Sequence, residues 1–168
     1  MTKLILVRHG ETVDNRNQIM QGQTQGMLTP EGVGQAERLA EMMRNEKIDA
    51  FVASDLKRAV DTCNIIAGPH KLSVVTTPLL REREWGDFTG MFIPDLKGKP
   101  WPDNVESLPA LKKRAKDFMD FIKDNFPQQT VLAVGHGIIN KAIQAVYYNK
   151  EMREVSRMAN ADVRILEL

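Results

Sequence analysis

The chain has 168 residues, of which 42% are hydrophobic and 27% charged, and a formal net charge of +1. That length and balance suit one soluble domain, residues 1–168, with a sizeable buried core, and the near-neutral charge gives no ground for nucleic-acid binding. The single cysteine, Cys63, excludes an internal disulfide and a cysteine-based zinc cluster, and no apolar run approaches the roughly 20 residues of a membrane span.

Leu4, Ile5, Leu6 and Val7 form an unbroken apolar run, which reads as a strand buried on both faces. A core strand beginning within three residues of Met1 leaves no room for a signal peptide, so a cytoplasmic protein is expected. Arg8, His9, Gly10, Glu11 and Thr12 follow at the strand's carboxyl end, where open α/β sheets place their ligands. Arg8 offers a planar fork of donors to a phosphate or carboxylate. His9 can serve as base, nucleophile or metal ligand near neutral pH. Gly10 lets the backbone turn sharply and approach a ligand. Residues 13–29, with Asp14, Asn15, Asn17, Gln21, Gly22 and Gly26, read as an irregular polar loop. A loop of that length in a compact domain is a mark of function, and it can fold back over the Arg8–His9 turn.

Thr29, Pro30 and Glu31 mark a helix start: a capping hydroxyl, a proline in the first turn and an acid near the positive end of the helix dipole. Ala36, Leu39, Ala40 and Met43 continue it at helical spacing, to an end near Glu46. Residues 49–54 read as a second strand, and Ser54 or Asp55 as the cap of a helix burying Leu56, Ala59, Val60, Cys63, Ile66 and Ala67. Arg58 lies in its first turn and can point back to the sheet edge. Residues 72–77 are a third strand, followed by Arg81, Glu82, Arg83 and Glu84. Residues 91–104, rich in proline and glycine, read as a loop. A helix then carries a stripe of Leu108, Leu111, Ala115, Phe118 and Ile122, its basic run Lys112, Lys113, Arg114 forming a solvated face. Residues 130–134 are a fourth strand, ending in Gly135, His136 and Gly137. The next helix buries Ile138, Ile139, Ala142, Ile143 and Val146, and residues 163–168 alternate as a strand near the sheet edge.

Strands alternating with helices imply a three-layer α/β/α sandwich with a mostly parallel sheet. Arg8 and His9, Asp55 and Arg58, Glu82, and His136 each follow a different strand, so they converge on one edge. Core packing does not call for such a convergence. Two histidines, two arginines and a glutamate suit phosphoryl transfer: the arginines hold phosphate oxygens, one imidazole attacks phosphorus, and a carboxyl protonates the departing oxygen. Either Glu82 or Glu84 could serve chemically as that acid. A three-histidine metal site is the chemical rival. However, His9, His70 and His136 lack metal-ligand spacing, and His70 is expected to be exposed at the opposite strand edge, so no metal is expected.

The run Arg8-His9-Gly10-Glu11-Thr12 resembles the signature of the histidine phosphatase, or phosphoglycerate-mutase-like, superfamily. Asn15, Gln21-Gly22, Leu28-Thr29-Pro30-Glu31-Gly32, Ser54-Asp55-Leu56-Lys57-Arg58-Ala59, Leu80-Arg81-Glu82 and Gly135-His136-Gly137 match it in order along nearly the whole chain. The resemblance implies the phosphoglycerate-mutase-like fold, with His9 as the phosphorylated nucleophile and Glu82, favoured over Glu84 by the family spacing, as proton donor. It also implies a phosphate pocket of Arg8, Arg58, His136 and Asn15, a substrate contact at Gln21, a backbone contribution from Gly137, and no cofactor. Mutases of this family carry a longer segment over the site. The short 91–104 loop here is a minimal cap, which favours hydrolysis of a small phosphorylated metabolite, of broad specificity or like α-ribazole phosphate. Mutase transfer and non-catalytic binding of phosphorylated ligands stand as the alternatives. Lys97, Lys99 and Trp101 are the expected local specificity determinants. Oligomeric state and pathway leave no signal in the chain.

Overall fold

The computed structural model describes all 168 residues. Its strands are β1 (Lys3–Arg8), β2 (Ala50–Ser54), β3 (Val74–Thr77), β4 (Thr130–Gly135) and β5 (Val163–Glu167). They form one sheet in the order β3-β2-β4-β1-β5, parallel except for β5, which runs antiparallel to β1 at the edge. The helices are α1 (Val13–Asn17), α2 (Pro30–Met43), α3 (Lys57–Ala67), α4 (Leu108–Asn125) and α5 (Gly137–Tyr148). None is long and apolar enough to cross a membrane.

Two helical layers explain the continuous apolar run in β1. Leu4 and Leu6 face one core with Val131 and Ala133 of β4, packed on Leu111 and Phe118 of α4 and Ile139 and Ile143 of α5. Ile5 and Val7 face the other, with Phe51, Leu132 and Val134 of the sheet, packed on Leu39 of α2 and Cys63 and Ile66 of α3. Successive strand residues point to opposite faces, so a strand covered on both sides has no polar position to spare. The architecture is the expected three-layer α/β/α sandwich with a mostly parallel sheet.

Several local expectations are corrected. The 13–29 segment is not wholly irregular: Thr12 caps the one-turn α1, and Asn15 completes a capping box with it. Thr29 caps α2 as the sequence implies, its hydroxyl accepting from Gly32 N at 3.0 Å. By contrast, neither Ser54 nor Asp55 caps α3. Leu56 occupies the cap position, while Asp55 forms a two-pronged pair with Arg81, both contacts 2.7 Å. Val60 is half-buried and Leu108 exposed, because each lies at the rim of its helix's apolar stripe. The 91–104 loop contains one turn of 3₁₀ helix, Ile93–Leu96. His70 is not exposed: a ring nitrogen lies 2.9 Å from Met43 O and the ring tilts against Phe51, far from the other two histidines.

Candidate active site

The carboxyl ends of β1, β2 and β4 meet where the sheet order switches direction, and polar residues gather there. His9 leaves β1 with its Nδ1 2.7 Å from Gly10 O. A carbonyl only accepts, so Nδ1 carries the hydrogen and Nε2 keeps its lone pair. Burial, and then the Arg58 cation, hold His9 well below the ordinary histidine range, so the ring is neutral. Asn160 Nδ2 donates to His9 O at 3.1 Å, and Gly10 N donates to the buried Thr62 hydroxyl, also at 3.1 Å. The loop therefore cannot swing the imidazole away. Gly10 is small for a reason the sequence does not show: a Cβ there would meet Gly32 O of α2 at 2.5 Å.

Two guanidiniums flank the ring. Arg8 donates Nη1 to Met158 O at 2.7 Å, and its buried Nε has no protein partner. Arg58, buried on the first turn of α3, donates to Gly22 O at 2.8 Å and to Thr24 O, and its Nε is likewise unpartnered. It thereby folds the 21–26 segment over the site. Burial pulls both down to about 10, with Arg157 the next cause at Arg8; both stay charged at neutral pH. Unpartnered buried donors are costly and rare, which makes this pair a built receptor for an anion.

His136 follows β4, its ring centroid 5.0 Å from that of His9. Its Nε2 lies 2.9 Å from the Ser54 hydroxyl, while Nδ1 has no partner. Ser54 Oγ already accepts from Leu56 N. The free hydroxyl hydrogen can thus point at Nε2, which leaves Nδ1 as a donor. Burial, then Arg58, holds His136 well below the ordinary histidine range.

Glu82 follows the turn after β3. Its carboxylate accepts from Arg83 N at 2.8 Å and from Ile138 N and Ile139 N, at the start of α5, at 3.0 and 2.9 Å. Backbone donors at a helix N-terminus hold a carboxylate firmly. Glu84 instead accepts from Gly86 N and does not line the cavity, so the geometry separates the two acids. Arg114 is not merely a solvated residue. It bridges to Glu106 and donates to Leu79 O and Arg81 O, which clamps the segment that carries Glu82.

The resulting cavity, about 250 Å³, is lined by Arg8, His9, Asn15, Gln21, Arg58 and Glu82, with Ile19, Met20, Trp85, Ile93 and Arg157 at its mouth. Asn15 Oδ1 accepts from Thr12 N and Asn160 Nδ2, so its own amide hydrogens are free. Gln21 is buried and accepts from the Thr12 hydroxyl. His136 stands behind His9 and does not line the cavity, nor does Gly137, whose position abuts the Arg8 guanidinium. Lys97, Lys99 and Trp101 do not line it either. Trp101 packs edge-on to Trp85 and Phe88, with Arg83 over both indoles, and so supports the wall from behind. Sequence reasoning missed Arg157, Asn160 and Thr62, and it gave Ser54 a capping role in place of its contact with His136. Arg157, Asn160 and Thr62 belong to no run whose pattern differs from an ordinary loop or helix.

A neutral imidazole between unpartnered arginine donors, facing a carboxylate, defines an α/β protein built to handle a phosphoryl group. Residues 4–168 match the model of the histidine phosphatase superfamily (branch 1), and the chain belongs to that family. It is 33% identical over 172 residues to an uncharacterized phosphatase, PhoE, of Bacillus subtilis, covering 99% of this chain and 89% of the relative. It is 32% identical over 185 residues to phosphoglycerate mutase-like protein 4 of Arabidopsis thaliana, covering 99% and 79%. Its fold superposes with a TM-score of 0.90, at 27% identity, on the mycobacterial glucosyl-3-phosphoglycerate phosphatase in complex with vanadate, covering 98% of this chain and 92% of that one.

Proposed function

We propose that the protein is a metal-independent phosphomonoesterase that acts on a small phosphorylated metabolite through a phosphohistidine. The observation that carries this reading is the unpartnered Nε of Arg8 and of Arg58 on either side of a neutral His9 whose Nε2 is free. The phosphate oxygens bind the two arginines, with the Asn15 amide as a further donor, while His136, whose Nδ1 has no protein partner, packs its ring against His9. His9 Nε2 attacks phosphorus as the bond to the leaving oxygen breaks, and Glu82 delivers a proton to that oxygen. Water then attacks the phosphohistidine, Glu82 takes the water's proton, and the phosphorus–nitrogen bond breaks to release inorganic phosphate and neutral His9. The arginine charges offset the negative charge that builds in both transition states.

Hydrolysis is favoured over mutase transfer by the short cover: between Gly90 and α4 there is only a loop with one 3₁₀ turn, which leaves water an easy entry. The likeness to a mutase-like plant protein keeps that second reading in play. The test is release of p-nitrophenol from p-nitrophenyl phosphate in excess EDTA. The wild type is expected to turn over, and His9→Ala to lose about 10³-fold or more in kcat. Activity retained in His9→Ala sinks the phosphohistidine route, and 2-phosphoglycerate forming from 3-phosphoglycerate faster than free phosphate establishes the mutase. Tight phosphate binding without turnover in the wild type identifies a binder instead.

A further inference from the structure

The proposed reaction uses Arg8 and Arg58 but leaves Arg157 without a task. Its surroundings are unusual for a surface arginine. A Cβ placed at Gly137 would lie 3.3 Å from Arg157 Nε and 3.4 Å from Arg8 Cζ, so the two guanidiniums share one spot at the amino end of α5. Arg157 makes no ion pair and donates no side-chain hydrogen bond to the protein. The pairing costs something: the positive charge of Arg157 adds to burial in lowering Arg8. Two neighbouring cations, neither of them in an ion pair within the protein, are stabilised by an anion that bridges or flanks them.

Space for such a group exists. Beside the catalytic cavity lies a second one of about 420 Å³, reached past Arg8, Asn15, Ile19, Ile93 and Arg157, which line both. No aspartate or glutamate lines this annex, and its far wall is formed by Met158, Ala159 and Asn160. A phosphate seated on Arg8 and Arg58 shares its cavity with Arg157, which is exposed and whose donors have no protein partner. A bare phosphate fills only the inner cavity and has no use for a third cation there.

We infer that Arg157 is a specificity-determining residue, which selects phosphomonoesters whose leaving group carries a second anionic group, a carboxylate or a further phosphate, a few bonds from the phosphorus. The inference rests on the phosphatase reading and names its substrate class. The guanidinium fork matches either anion with two parallel hydrogen bonds. The interaction forms with the ground state and survives in the transition state, so it acts on KM and leaves kcat nearly unchanged.

Matched substrates test it. O-phospho-L-serine and O-phosphoethanolamine differ by one carboxylate; fructose 1,6-bisphosphate and fructose 6-phosphate differ by one phosphate. In the wild type, at least one pair is expected to favour the doubly anionic member in kcat/KM by about tenfold or more. Arg157→Ala is expected to collapse that ratio toward one through KM, and Arg157→Lys to restore part of it. The pair that responds identifies the anion. Equal losses for both members of each pair, or ratios that Arg157→Ala does not move, overturn the inference. The same ratios measured as calorimetric Kd values on the His9→Ala protein do not depend on turnover. If the wild type cleaves none of these esters nor p-nitrophenyl phosphate, the phosphatase reading falls, and the Kd ratios alone decide whether Arg157 reads the second anion.

Discussion

At the scale of single residues, burial sets the chemistry. His9 and His136 would each carry partial charge near pH 6.5 in water; inside the site both are neutral, because burial and the Arg58 cation oppose a further positive charge. A histidine lowered in the folded state binds fewer protons there than in the unfolded chain. Stability should therefore be fully present above about pH 6.5 and fall as the pH drops below it, by up to about 1.4 kcal/mol per pH unit for each ring. Urea midpoints between pH 7.5 and 5 should show that slope, and His136→Gln should reduce it; a flat profile would show that the rings keep ordinary proton affinity. One Glu82 oxygen accepts from Arg83 N and Ile139 N and the other from Ile138 N, so Glu82→Gln can keep two of the three backbone donors and should keep the fold. Its kcat should fall by about 10²- to 10⁴-fold, with the smallest loss on esters whose leaving group departs without a proton. A uniform loss across leaving groups would argue against the acid role.

The elements act as positioning devices. The packing of α2 against the His9 loop is close enough to exclude any side chain at Gly10. Gly10→Ala must therefore push α2 and the loop apart. We expect a loss of about 1–3 kcal/mol in chemical denaturation, with a larger proportional loss of kcat than of phosphate affinity, since His9, next to the substitution, moves more than the arginines. Retention of full activity and stability would mean that the contact relaxes freely. On the opposite flank, α4 reaches across through Arg114 to hold the Glu82 segment, and the N-terminus of α5 supplies two of the donors to the Glu82 carboxylate. Glu82 is thus held by the helical layer on one face of the sheet, while Arg58 comes from the layer on the other.

For the whole molecule, these parts gather buried donors without protein partners around one cavity, an arrangement suited to an anion. A ligand that binds only the folded state must stabilise it. Inorganic phosphate or vanadate at about 100 times Kd should add about 2.7 kcal/mol, read as a rise in Tm. Arg58→Ala should abolish most of that rise, and a Tm indifferent to either anion would contradict the receptor. The sequence by itself determined the alternation of strands and helices, the double burial of β1, the cap at Thr29 and the gathering of Arg8, His9, Arg58 and Glu82 at one edge of the sheet. Each of these rests on local patterning or on an ordered motif. It did not determine the pairing of Asp55 with Arg81, the half-burial of His70, the Arg114 clamp, the place of Trp101 behind the wall, or Arg157 beside Arg8. Those depend on which side chains from distant elements share a space. Charged and aromatic residues in loops carry no periodicity that says which way they face, so only the packed tertiary structure decides it.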